Sequence, residues 1–232
     1  MWEYTVIKFI CGYKGSNLLP QSPFRTSRGL TVQDRKKIRV AIIDDEAFER
    51  RTQLLRLGYE FQELEDIKSL EEVSSFDIAL VDLMGVGLKF DPDNQGAFLI
   101  SEIKRNHPAL FVCAYSGSDK KSPMAVYAKH NADLFIGKDE PVEELTEKLD
   151  SLAVLASSPS VIWGRIRRSL VEQGVATRSI MEIEHQYVEE ILSKNPNSMN
   201  FIERSKRIEM NETARSAIVN LASSFIFKAI SG

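Results

Sequence analysis

Between Ile38 and Leu152 the chain repeats one pattern: a short apolar run, a polar stop, then a longer segment with helical spacing. The runs are Ile38–Ile43, a weaker one at Phe61–Ile67, Phe76–Asp82, Leu110–Tyr115 and Asp133–Lys138. Apolar runs of this length, bounded by Gly and polar residues, read as buried strands. Between them, Ala47–Leu57 offers Phe48, Leu54, Leu55 and Leu57 for a buried face, with Gly58 as a stop. Ser69 and Glu72 have capping-box spacing and open a short helix. Helices are expected over Ala97–Asn106, closed by Pro108, and over Ser122–His130. Pro141 opens another, whose Val142, Leu145, Leu149 and Leu152 share one face. Strands that alternate with helices imply an α/β fold, a parallel sheet covered on both sides.

Four of the five expected strands end in a residue that can do chemistry. Asp44 and Asp45 follow the first run, Asp82 ends Phe76–Asp82, and Ser116 and Lys138 stand at the ends of the last two. In a parallel sheet those ends form one rim, where open α/β folds place their ligands. Alone, Asp82 reads more commonly as a turn or N-cap aspartate, so it needs partners elsewhere in the chain. Three carboxylates on one rim repel each other and call for a cation. Mg²⁺ suits hard oxygen ligands and keeps waters, leaving room for a phosphoryl group. Lys138 can neutralise phosphate oxygens and the Ser116 hydroxyl can donate to them. The chemistry this set supports is phosphoryl transfer onto a carboxylate, with Asp82 attacking in line.

In the order and spacing of Asp44-Asp45, Asp82, Ser116 and Lys138, residues 38–150 resemble a receiver domain of a bacterial two-component response regulator. The resemblance implies a flavodoxin-like fold of five parallel strands that takes a phosphoryl group from a sensor histidine kinase or phosphotransfer protein. It implies Asp82 as the phosphoacceptor, with Asp44, Asp45, Asp82 and the Met84 backbone carbonyl as Mg²⁺ ligands. Ser116 and Lys138 would bind the phosphoryl group, and Ser116 and Phe135 would be the switch pair, although Phe135 reads equally as core. The sequence also departs from the family. A long segment, Gly85 to Gly96, follows Asp82 where receivers have a compact turn, and Asp139-Glu140 separate Lys138 from Pro141. The stretch between Asp45 and Asp82 is short, which implies a trimmed first or second helix.

Charge is distributed unevenly. Residues 1–37 hold seven basic against two acidic side chains, residues 38–150 hold 13 against 23, and residues 151–232 hold ten against eight. An acidic middle is a poor nucleic-acid surface. Two cysteines, Cys11 and Cys113, make neither a disulfide framework nor a metal cluster and read as packing residues in a reducing compartment. Trp2–Cys11 lacks a basic leader, and Ala217–Ile230 is shorter than the roughly 20 residues a span needs. A cytoplasmic protein without a membrane span is expected.

Three parts follow: an N-terminal extension and linker over 1–37, a receiver-like domain over 38–156, and a smaller all-helical region over 157–232. In the extension, Arg25, Arg28, Arg35, Lys36 and Lys37 are expected to be solvated. Helices are expected to about Gln173, over Ser179–Ser193, over Met199–Ile208 and over Glu212–Ile230. Gly174-Val175 gives the first two a superficial helix-turn-helix look, but Glu182, Glu184, Glu189 and Glu190 on the second would repel phosphates. Arg165 to Arg168 reads as a solvated basic face. The apolar residues Ile218 to Ile230 must be buried in this chain, in a second copy as a homodimer through these helices, or in a partner, and the sequence leaves all three open. The expected function is a signalling switch whose phosphorylation controls the protein contacts of its helical tail, with no turnover of an external substrate. The alternatives are a phosphorylation-independent scaffold and, as a weaker reading, a DNA-binding regulator.

Overall fold

The computed structural model describes residues 13–20, 22–24, 29–117, 121–193 and 197–223. Five strands form one sheet: β1 (Arg39–Ile43), β2 (Glu60–Leu64), β3 (Ile78–Val81), β4 (Phe111–Ser116) and β5 (Leu134–Gly137). The order is β2-β1-β3-β4-β5 and every pairing is parallel, with Ile43 opposite Val81, Val81 opposite Ala114, and Ser116 opposite Gly137. The parallel α/β sheet expected from the alternation is therefore present, in the flavodoxin-like form that the resemblance implies.

Side-chain alternation divides the core. Val40, Ile42, Ile78, Leu80, Phe111 and Cys113 point to one face, and Ala41, Ile43, Ala79, Val81, Val112 and Ala114 to the other. The second face is covered by α3 (Gln95–Asn106) and α4 (Pro123–Asn131), through Leu99, Ile100, Ile103, Ala125 and Ala128. The first is covered by α2 (Arg51–Arg56), by α5 (Val142–Ala156) and by a continuation of the same core into the tail. A short α1 (Val32–Arg35) precedes β1. The helix expected over Ala47–Leu57 is only six residues long, and a 3-10 turn, Leu70–Val73, replaces the second one. Both are trimmed, as the short Asp45-to-Asp82 spacing requires.

The tail contains α6 (Pro159–Glu172), α7 (Thr177–Ile191), α8 (Ser198–Ser205) and α9 (Glu212–Ser223). Only Ser157 and Ser158, both buried, separate α5 from α6. At the centre Trp163 stacks on Tyr187, with ring centroids 5.6 Å apart, and Tyr187 meets Phe201 at a tilt, with centroids 5.9 Å apart. Ile218 and Leu221 of α9 are fully packed within the chain, whereas Phe225, Ile226, Phe227 and Ile230 lie outside the described residues, as do Cys11, Arg25 and Arg28.

Two expectations need correction. Arg165 is not on a solvated face: its guanidinium donates to both Asp133 oxygens at 2.7 and 3.2 Å and to the Pro108 and Leu110 carbonyls, and lies 4.2 Å from the centre of the Phe111 ring. Arg35 is also paired, reaching both oxygens of Asp150 at 2.8 and 2.7 Å. Sequence reading missed both because a cation's partner, when distant in the chain, is visible only after folding. The extension is more than a linker. Tyr13 donates to Glu184 at 2.5 Å, the Ser16 N–H donates to the same carboxylate at 2.8 Å, and Leu19, Phe24 and Leu30 are buried. Among the described residues no helix is long and apolar enough to cross a membrane.

Candidate functional site

The parallel register carries the acids to one rim. Asp44 follows β1 and Asp82 follows β3, and the Asp82 N–H donates to the Ile43 carbonyl at 2.8 Å, which locks the two strand ends side by side. Asp44 and Asp82 are buried and Asp45 is exposed, yet a carboxylate oxygen from each lies within 4.8 Å of the others. Lys138, just past β5, bridges two of them: its Nζ is 2.8 Å from Asp82 Oδ2 and 2.8 Å from Asp44 Oδ2. The Lys138 N–H donates to the Ser116 carbonyl, which ties the ends of β4 and β5 together, and Ser116 is buried beside them.

Burial pushes the Asp82 carboxyl above its ordinary value, and repulsion from Asp44 adds to this, against the pull of Lys138 and of the Leu83 N–H on Oδ1 at 2.6 Å. Burial draws the Lys138 ammonium down, but its hydrogen bonds to Asp44 and Asp82 outweigh that and hold it above its usual value. The local balance is three acids against one cation, so the rim keeps an excess of negative charge.

Two glycines make the geometry possible. Gly85 has φ +77°, and a Cβ there would fall 2.2 Å from the Asp45 carboxylate. A Cβ on Gly96 would fall 1.8 Å from the Asp82 carbonyl oxygen, so α3 starts flat against the acceptor's own backbone. Between them the long loop is tightly organised. Asp66 accepts from the Gly87 and Leu88 N–H groups at 2.5 and 3.2 Å, Lys89 donates to the Lys68 carbonyl at 2.8 Å, and Asp91 accepts from the Asp93 and Asn94 N–H groups. Gln95 sits at φ +45°, a left-handed conformation that costs a residue with a side chain on the order of 1 kcal/mol. Its side-chain oxygen accepts from the Gly85 N–H at 2.9 Å.

All five expected site residues, Asp44, Asp45, Asp82, Ser116 and Lys138, reach this rim. Met84, on the same loop, is half exposed. Phe135 is half-buried on the α4 side, with Lys129 Nζ 5.0 Å from its ring centre. Glu140, one of the two additional acids after Lys138, pairs with Lys148 at 2.5 Å, which offsets its charge. Sequence reading missed Arg50, whose guanidinium donates to the Lys138 carbonyl at 2.8 Å, and Gln95. Arg50 lay in a segment read as helix, and nothing in the order of residues marked Gln95. A cleft of roughly 520 Å³ lies elsewhere, among α3, α4 and α6, where Lys104 and Arg165 are engaged with Asp133.

The five-stranded parallel sheet of order 2-1-3-4-5 carries paired acids after β1, an acid after β3 and a lysine after β5. The sheet-bearing half has a flavodoxin-like fold. Solved structures similar to it include a CheY-like response regulator receiver domain protein from Methanospirillum hungatei JF-1, at 21% identity and TM-score 0.41, covering 51% of this chain and 95% of that one. The receiver domain of NtrX from Brucella abortus matches at 26% identity and TM-score 0.42, over 49% and 97% of the two chains. Full-length FixJ from B. japonicum matches at 18% identity and TM-score 0.44, over 79% and 97%. No protein-family model matches the chain, and no curated protein does.

Proposed function

We propose that the chain is a response-regulator signalling protein that accepts a phosphoryl group on Asp82 from a sensor histidine kinase, a phosphotransfer protein or a small phosphodonor. The observation that carries this reading is the convergence of Asp44, Asp45 and Asp82 within 4.8 Å, with Lys138 bridging two of them.

The donor set suits Mg²⁺: three hard carboxylate oxygens close enough to share one ion, with an exposed side at Asp45 where waters remain. Asp44, Asp45, Asp82 and the Met84 carbonyl would hold it. When bound, the ion neutralises the acids and the oxygens of the transferring group. The chain's own residues do the rest. The Asp82 carboxylate attacks phosphorus; the new acyl-phosphate P–O bond forms as the bond to the donor breaks, and the electron pair leaves with the donor. In this proposal Lys138, held charged by its two carboxylates, follows the phosphate oxygens, and the Ser116 hydroxyl donates to one. Hydrolysis reverses the load: water attacks phosphorus and Asp82 is released.

The reader of that state, in this proposal, is the helical region 157–232 together with the extension 1–37, appended to a receiver-like unit over 38–156. Residues 180–191 of α7 contain no exposed side chain, which disfavours a DNA-reading role for this helix as packed. Intact mass after incubation with Mg²⁺ and acetyl phosphate tests the proposal. A phosphoryl adduct is expected in the wild type and none in Asp82→Asn. No adduct in either, with no change on adding beryllofluoride, would leave the scaffold reading standing.

A further inference from the structure

We propose that Gln95 is a positioning residue for the cation site: its side chain holds the Met84–Gly85 peptide so that the Met84 carbonyl is presented to a divalent ion beside Asp44, Asp45 and Asp82. The inference rests on the proposed phosphoacceptor reading and adds to it a residue that lies eleven positions beyond the ligand it orients.

A trans peptide is planar, with its N–H and C=O on opposite sides, so fixing one group fixes the other. The Gly85 N–H donates to Gln95 Oε1 at 2.9 Å, and no peptide bond among the described residues is cis. The direction of the Met84 carbonyl is therefore set from the far side by Gln95. The same peptide forms a wall of the acid cluster, because Gly85 lies so close to Asp45 that a Cβ would meet its carboxylate.

The long loop supplies the means. Gln95 returns to Gly85 through its left-handed backbone, held by its own N–H to the Asp91 carbonyl at 2.8 Å and by the Gly96 N–H to the Leu83 carbonyl at 3.3 Å. Asp91 is in turn pinned by Asn94, and Asp66 holds the outgoing arm. A strained residue whose side chain reaches back to the strand end is what a compact turn would not provide. Groups that orient metal ligands typically change affinity by about 10- to 100-fold when removed.

Calorimetric titration of the full chain with Mg²⁺ tests this, using wild type, Gln95→Ala and Gln95→Asn. The Asn variant is too short to reach Gly85 but tolerates the left-handed backbone, so it separates orientation from folding. Both variants are expected to bind Mg²⁺ at least about 10-fold more weakly, with the melting temperature of Gln95→Asn in EDTA equal to or above that of wild type. Affinity within about twofold of wild type in Gln95→Asn, with or without a change in melting temperature, would overturn the inference and leave Asp82 phosphorylation untouched. Failure of wild type itself to bind Mg²⁺ would overturn the proposed function, and the role of Gln95 with it.

Discussion

The two rims of the sheet use the same residue types to opposite ends. At the C-terminal rim, Asp82 shares a single cation, Lys138, with Asp44, and Asp45 adds a third charge. At the N-terminal rim, Asp133 holds two cations alone: Arg165 through both oxygens, and Lys104 at 3.0 Å. Both aspartates are largely out of solvent, and burial raises each. For Asp82 burial prevails and its carboxyl lies above the ordinary value. For Asp133 the Arg165 hydrogen bonds and charge, the Val112 N–H and Lys104 prevail, and it lies below. Buried carboxylates with surplus cations weld elements together; buried carboxylates short of cations are where a ligand has something to add.

The largest expected effect sharpens that contrast at the weld. Arg165→Leu leaves Asp133 buried with only Lys104, and equilibrium urea unfolding should show a loss of about 3 kcal/mol, the scale of breaking a buried pair. A loss under about 1 kcal/mol would mean that the tail is not held there electrostatically. Opposite in sign is the outcome at the other rim. Asp45→Asn removes a like charge that makes no bond to Lys138, so stability should rise by a few tenths of a kcal/mol, while Mg²⁺ affinity by calorimetry falls at least about 10-fold.

Acid also distinguishes the two rims. Asp133 has a depressed folded value, so its contribution is fully present above the unfolded value near 4 and is lost as pH falls through the lower folded value. The stability advantage of wild type over Asp133→Asn, measured by unfolding at several pH values, should therefore shrink below about pH 4. An advantage that is constant with pH would refute the assignment of its charge as the source. The smallest effect belongs to neither rim: Lys206 and Glu203 pair at 2.5 Å but are both more than half exposed, and Lys206→Ala should shift stability by less than about 0.5 kcal/mol.

Much of the sheet-bearing half was legible from the order of residues. Apolar runs at Ile38, Phe76 and Leu110 read as buried strands, and the residues ending them share one rim because parallel strands all point their C-terminal ends one way. Boundaries were legible where a cap fixed them, as at Ser69 and Ser122, whose side chains accept from backbone N–H groups. They were not legible at Ala47–Leu57, where helical composition met a strand-end loop that had to reach the site, and only Arg51–Arg56 formed a helix. Arg165 in the tail had the look of any exposed basic residue, since Asp133 and Pro108 are far away in sequence.

What the sequence by itself determined is therefore the sheet, its direction, and the set Asp44, Asp45, Asp82, Ser116 and Lys138, because strand periodicity and polar strand ends are local signals. Only the tertiary structure decided which cations those acids would share, how the loop from Gly85 to Gly96 turns back through Gln95, and where the tail is fastened. Those outcomes depend on pairs separated by many residues, and charge balance at a buried group is the sum over whatever neighbours folding happens to deliver.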